Sequence, residues 1–268
     1  MACMIAGRGS PPFIPSVLSV GAVGLITLSV YLYNDITDVN VDKLNSIKGD
    51  RPLPTGKASQ KDTSVLVFLS GLLGIVILLS VNVYSFLFGL MYFFLFTVYS
   101  YPKIRLKGRF LFKESIIAVG IPLTSLIGIY AVSNSFVVHA FFASILFAIF
   151  TYMAQPVFTD STDVEEDIVA GVKSLATVLS WKKRVHLLVT GWLIVMALIL
   201  LTYSMFGFNV VLPVYAVAGG AVFLWLVVPM LSEFEEAAFS KARKITYMYF
   251  ILLQLFFVIG TADVHLFS

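Results

Sequence analysis

Two short runs of carboxylates stand out in an otherwise apolar chain of 268 residues. The first is Asn34-Asp35-Ile36-Thr37-Asp38-Val39-Asn40-Val41-Asp42 and the second Asp160-Ser161-Thr162-Asp163-Val164-Glu165-Glu166-Asp167. Asp35, Asp38 and Asp42 are spaced i, i+3 and i+7, and Asp160, Asp163 and Asp167 repeat that spacing. On a helix those offsets place the carboxylates of each run on one face, where like charges repel. A hard divalent cation relieves such repulsion, and Mg²⁺ in particular takes one or two carboxylates and fills its remaining positions with phosphate and water. Brought together, the two runs would clamp a diphosphate through metal held by Asp35, Asp38, Asp42, Asp160, Asp163 and Asp167, an arrangement suited to its departure as a leaving group. One such run alone reads equally well as a solvated acidic loop. The matched spacing of two favours the metal site.

A polyanion calls for basic side chains as well. Arg51 lies in Lys48-Gly49-Asp50-Arg51-Pro52-Leu53-Pro54-Thr55-Gly56-Lys57, whose prolines and glycines predict an ordered turn rather than a helix. Lys107 lies in the basic stretch Lys103–Arg109, Lys113 opens an apolar run, and Lys173 sits in Gly171-Val172-Lys173-Ser174. These four are the candidate phosphate contacts. Lys182, Lys183, Arg184, Lys241, Arg243 and Lys244 read as topogenic charges that hold loops on one side of a membrane. His139, His186 and His265 fall near different span ends without metal-ligand spacing and read as satisfied or interfacial. The single cysteine, Cys3, rules out an internal disulfide.

The elements that must position these residues are membrane helices. The chain is 59% hydrophobic and 12% charged, with mean hydropathy +0.95, which excludes an ordinary water-soluble fold. The net charge of +3 is too small to imply a nucleic-acid partner. Continuous apolar runs long enough to cross a bilayer, about 20 residues each, occur at approximately 13–34, 64–81, 83–101, 114–133, 135–157, 185–206, 208–231 and 245–263. They predict a single all-α domain over residues 1–268, a polytopic bundle of eight spans. Met1–Pro12 has one basic residue, a double proline and no small-residue cleavage site, so it is expected to stay in the mature protein. Small residues in Ser70-Gly71-Leu72-Leu73-Gly74 predict close helix packing.

Alternating the eight spans puts the stretches 35–63, 102–113, 158–184 and 232–244 on one side, and these hold 17 of the 18 Lys and Arg residues. By the positive-inside rule that side is the cytoplasm. Every Asp and Glu except Asp263 lies in or beside the same stretches. The expected location is therefore the plasma membrane, with the site at the cytoplasmic face.

The Asn34-Asp35-x-x-Asp38-x-x-x-Asp42 run, the Arg51-Pro52-Leu53-Pro54-x-Gly56 turn, the Tyr99-Ser100 pair and the second acidic run followed by Gly171 together resemble the UbiA superfamily of intramembrane prenyltransferases. The resemblance runs from about residue 14 to the C-terminus. It implies a bundle, of nine helices in that family, around a central cavity capped by the two acidic motifs. It also implies Mg²⁺-dependent transfer of an isoprenoid from a polyprenyl diphosphate such as geranylgeranyl diphosphate to a hydrophobic acceptor, aromatic or isoprenoid lipid, among membrane lipids. By that pattern Asn34 and the aspartates hold the metals, Asp35, Asp38, Asp163 and Asp167 carry the catalysis, and Tyr99, Ser100 and Lys113 contact the diphosphate. Two departures stand out. Only one span precedes the first motif where the family has two, so either Met1–Gly7 is a remnant of a helix or the chain begins late. Glu166 stands where many members have glycine, for which there is no physical account.

The aromatics, dense at Tyr84–Tyr101 and Tyr247–Phe257, could line a cavity and stabilise an allylic cation with their π faces while excluding water. Most must simply face lipid, and composition does not say which few line the cavity. Asp50 or a motif carboxylate would take the proton released by the acceptor. Two other classes use similar residues. A divalent-cation transporter would need acidic residues mid-span, and none is present. A CDP-alcohol phosphotransferase would need an Asp-Gly-x-x-Ala-Arg signature, which is absent.

Overall fold

The computed structural model describes residues 1–43, 48–169 and 171–261. His265 and Asp263 lie outside the described residues. Eight long helices are apolar enough to cross a membrane: α2 (Phe13–Asp42), α3 (Gln60–Val81), α4 (Val83–Ser100), α5 (Phe112–Val132), α6 (Val138–Phe158), α9 (Trp181–Thr202), α10 (Val211–Met230) and α11 (Glu236–Thr261). Three short helices complete the described chain: α1 (Ala2–Ala6), α7 (Val164–Val169) and α8 (Leu175–Val178). The expected spans all appear, and the expected prolines and glycines of the first loop give one 3₁₀ turn, Lys48–Asp50, followed by turns.

Sequential helices pair as neighbours, so the bundle winds α2-α3-α4-α5-α6-α9-α10-α11 around a central space, with α1 packed against α5, α6 and α11. Two apolar cores hold it. One joins α2 to α5 through Ile26, Leu78 and Ile127, and the other joins α6, α9, α10 and α11 through Phe150, Trp192, Phe223 and Phe257. In lipid the association of helices depends on close packing rather than on water exclusion. The small-residue run of α3 supplies it: a Cβ on Gly74 would lie 2.7 Å from Ile26 Cγ1 and 2.8 Å from the Ala22 carbonyl, and the Ser29 hydroxyl donates to the Val67 carbonyl at 2.6 Å.

The two acidic runs differ in local structure. The first is helical throughout, because α2 continues past its apolar span to Asp42. The second does not share that form. The expectation of one helix face carrying Asp160, Asp163 and Asp167 fails, because α6 ends at Phe158 and α7 begins only at Val164. Competing hydrogen bonds stop the helix. The Ser161 hydroxyl donates back to the Pro156 carbonyl, and the Asp160 N–H bonds the Gln155 carbonyl.

Candidate active site

The first cluster sits on the last turns of α2. Asn34, Asp38 and Asp42 line the mouth of a central cavity, while Asp35 stands beside them. Arg51 ties the two faces together: its Nη1 lies 2.9 Å from Asp35 Oδ1 and 3.3 Å from Asp42 Oδ2. Lys107 is delivered from the 3₁₀ turn Leu106–Gly108, entered through Arg105 at φ 43°. Its ammonium donates to Asn34 Oδ1 at 2.7 Å and to Asp38 Oδ2 at 2.5 Å, and the Ser100 hydroxyl donates to the same Asn34 oxygen at 2.8 Å. Burial pushes the Lys107 amine below its usual value, against the opposing pull of Asp38.

The second cluster is rebuilt around Lys113 at the start of α5. Its ammonium lies 3.2 Å from Asp160 Oδ1 and 2.9 Å from Asp167 Oδ2, so one cation brings together two carboxylates that the broken helix would otherwise separate. Lys48, from the loop after the first cluster, reaches Asp163 Oδ2 at 2.6 Å. That contact places the two clusters within one side chain of each other across the mouth. Burial raises the Asp160 carboxyl to about 6, with Lys113 opposing and Glu114 and Asp167 reinforcing the shift.

Three supporting residues were not singled out from sequence as part of the site. Glu114, fully buried beside Lys113, accepts the Leu175 N–H at 2.6 Å and so anchors the strap that follows the second cluster. Arg184, read above as topogenic, turns inward and donates to the Pro156 carbonyl and the Ser161 hydroxyl, both at 3.1 Å. Gln155 is buried in the cavity wall with both ends of its carboxamide unpartnered. A carboxylate next to a lysine at the boundary of a span was the available signal for Glu114. Nothing in the sequence separates Arg184 from its neighbours Lys182 and Lys183.

Other expected residues lie elsewhere. Lys173 is exposed and lines a separate shallow hollow with Phe110 and Ile168, although its N–H bonds the Gly108 carbonyl. Asp50 is exposed and does not line the cavity, which removes it from the candidate proton acceptors. His139 is satisfied by its contact with the Ile5 carbonyl at 3.3 Å.

Among the described residues, no three carboxylate, histidine or cysteine side chains form a ready-made metal cage. The donors present nevertheless suit Mg²⁺. They are all hard oxygens, they gather at one mouth, and Asp38 Oδ1 and Asp160 Oδ2 are buried without a hydrogen-bond partner. Behind the mouth the cavity encloses about 1060 Å³. Of the many aromatics, Tyr31, Tyr92, Phe96, Tyr99, Phe147 and Phe250 are among those that line it.

Fold and site together define an integral membrane protein whose helical bundle encloses an aromatic cavity under a mouth of paired carboxylates and cations. The family model described as the UbiA prenyltransferase family matches residues 1–259, and the chain belongs to that family. It is a prenyltransferase. A digeranylgeranylglyceryl phosphate synthase of Sulfurisphaera tokodaii is 29% identical over 255 residues, covering 92% of this chain and 86% of the relative. A 4-hydroxybenzoate octaprenyltransferase of Francisella tularensis is 25% identical, over 75% of this chain and 69% of its own. Among solved structures, one of digeranylgeranylglyceryl phosphate synthase superposes with TM-score 0.73 at 22% identity, covering 98% of this chain and 91% of the other. A UbiA homologue from Archaeoglobus fulgidus, bound to DMAPP and Mg²⁺, superposes with TM-score 0.72 at 16% identity, covering 98% and 94%.

Proposed function

We propose that this protein transfers a geranylgeranyl-type prenyl group from its diphosphate to the free hydroxyl of an isoprenoid glycerol-phosphate lipid, in a Mg²⁺-dependent reaction at the cytoplasmic face of the cell membrane. The observation that carries the reading is the Lys48–Asp163 contact, which closes the two acidic clusters over one cavity mouth. The digeranylgeranylglyceryl phosphate synthases among the relatives support a lipid acceptor, and the distribution of Lys and Arg supports the face.

Asp35, Asp38 and Asp42 from one side and Asp160, Asp163 and Asp167 from the other would hold Mg²⁺, which supplies neutralisation of the charge that develops on the departing diphosphate. Lys107, Lys113, Lys48 and Arg51 supply the fixed positive charge that binds the diphosphate oxygens, and Asn34 and Ser100 orient Lys107. As the carbon–oxygen bond loosens, the faces of Tyr92, Phe96 and Tyr99 stabilise the allylic carbon and keep water from it. The acceptor hydroxyl then attacks that carbon and gives its proton to a motif carboxylate at the mouth.

The test is a transfer assay with purified, detergent-solubilised protein, geranylgeranyl diphosphate and two acceptors, geranylgeranylglyceryl phosphate and 4-hydroxybenzoate, with products identified by mass spectrometry. The lipid product should form, should require Mg²⁺, and should vanish in Asp38→Ala and Asp163→Ala. Prenylation of 4-hydroxybenzoate alone, or an Asp38→Ala enzyme as fast as wild type, would refute the proposal.

A further inference from the structure

The cavity is deeper than the chemistry at its mouth requires. Asp38 and Ser19 both line it, and the wall between them on α2 is about 28 Å long at roughly 1.5 Å per residue. Between them Asn34, Tyr31, Thr27 and Val23 also face the cavity. Their spacing of three and four residues makes one continuous stripe of α2, which begins at the first acidic cluster. A chain hung by its diphosphate from that cluster would have this stripe as one wall of its path.

At the far end the stripe meets α1. Ala2 and Cys3 line the cavity there, together with Ser19 and Gly128. The short helix is locked in place by several contacts. Ile5 is fully buried, its carbonyl meets His139, and the Cys3 thiol donates to the Gly128 carbonyl at 3.4 Å and lies 3.7 Å from the Ser19 hydroxyl. Gly128 is what allows the approach: a Cβ there would lie 3.0 Å from Cys3 Sγ and 3.3 Å from Ala2 Cβ. The turn leading into α2 is equally constrained, since a Cβ on Gly7 would lie 2.5 Å from Pro11 Cα. Interiors this close do not yield easily to an extra methylene.

We infer that α1 is the floor of the donor-tail slot, and that Ala2 and Cys3 set the longest prenyl chain that can enter with its diphosphate in the mouth. The inference rests on the prenyl-diphosphate reading above, but not on the identity of the acceptor. The occupant is the donor tail because the stripe starts at the residues that anchor the diphosphate.

The experiment measures Mg²⁺-dependent binding of dimethylallyl, geranyl, farnesyl, geranylgeranyl and farnesylgeranyl diphosphates to the full chain, without acceptor. Val23→Trp, which fills the slot above the floor, is compared with Cys3→Gly, which deepens it. Val23→Trp should weaken geranylgeranyl diphosphate about tenfold or more, about 1.4 kcal/mol, and leave the dimethylallyl compound unchanged. Cys3→Gly should improve the farnesylgeranyl compound relative to geranylgeranyl. Unchanged dimethylallyl binding also shows that each variant is folded. Equal loss at every length in Val23→Trp, or an unchanged length limit in Cys3→Gly, would overturn the inference. Failure of wild type to bind any prenyl diphosphate with Mg²⁺ would instead sink the proposed function.

Discussion

Asp160 offers a test in which stability and activity should move in opposite directions. Its carboxyl is pushed from the ordinary 3.8 up to about 6, chiefly by burial, with Lys113 only partly offsetting the cost. A folded-state value above the unfolded one means that the native protein keeps a proton the unfolded chain has already lost between about pH 4 and pH 6. Stability therefore falls as pH rises through that window. The full penalty is present above it, about 3 kcal/mol at ~1.4 kcal/mol per pK unit. Asp160→Asn keeps the shape and stays neutral, and Lys113 retains Asp167 at 2.9 Å. In EDTA at pH 7 the variant should thus melt higher than wild type, by roughly 6–12 °C at ~2–4 °C per kcal/mol. The difference should shrink toward zero near pH 4, and the variant should be inactive with Mg²⁺. The assay is thermal unfolding of detergent-solubilised protein at several pH values. A variant no more stable than wild type at pH 7, or a difference that ignores pH, would refute the view that this carboxylate is held charged at a cost.

Two further predictions concern the groups around it. Lys107→Met leaves Asp38, among the described residues, with Arg105 as its cation, 3.6 Å away, so the Michaelis constant for the prenyl diphosphate should rise about tenfold or more and stability should drop by about 2–4 kcal/mol, measured by initial rates and by thermal unfolding. Glu114→Ala removes the acceptor of the buried Leu175 N–H and should cost about 1–3 kcal/mol. Urea melts should detect that loss, and Glu114→Gln, which keeps an acceptor oxygen, should recover most of it.

The bundle was legible because lipid imposes long continuous apolar runs, and their number and order survive in the structure. The first acidic cluster was legible for a related reason: an amphipathic continuation of α2 obeys helical spacing. The second was legible as chemistry but not as geometry. Its three carboxylates share the spacing of the first, yet the break after Phe158 is decided by hydrogen bonds from Ser161 and Arg184 that no local pattern announces. Arg184 shows the general difficulty. In sequence it is one of three adjacent basic residues, and only the packing of α9 against α6 turns it toward the site. Lys173 is the converse, a cation beside a motif glycine that the chain path leaves outside the cavity.

The same packing accounts for how the two acidic clusters meet at one mouth. Lys48, Arg51, Arg105, Lys107 and Lys113 each lie within 4 Å of at least one of their carboxylates, and Lys113 and Arg51 each serve two. These cations come from three different segments, the loop after α2, the turn before α5 and the start of α5 itself, so the mouth is closed by electrostatics rather than by apolar contact. That choice matters for function. Apolar closure would have to be broken at a cost before a polyanion could enter, whereas a cation that neutralises an aspartate can turn to a phosphate oxygen with little change in its own charge environment. The carboxylates that such an exchange would free are the ones whose oxygen donors suit Mg²⁺. On the proposed function, ligand entry and assembly of the reactive site would then be one rearrangement of side chains.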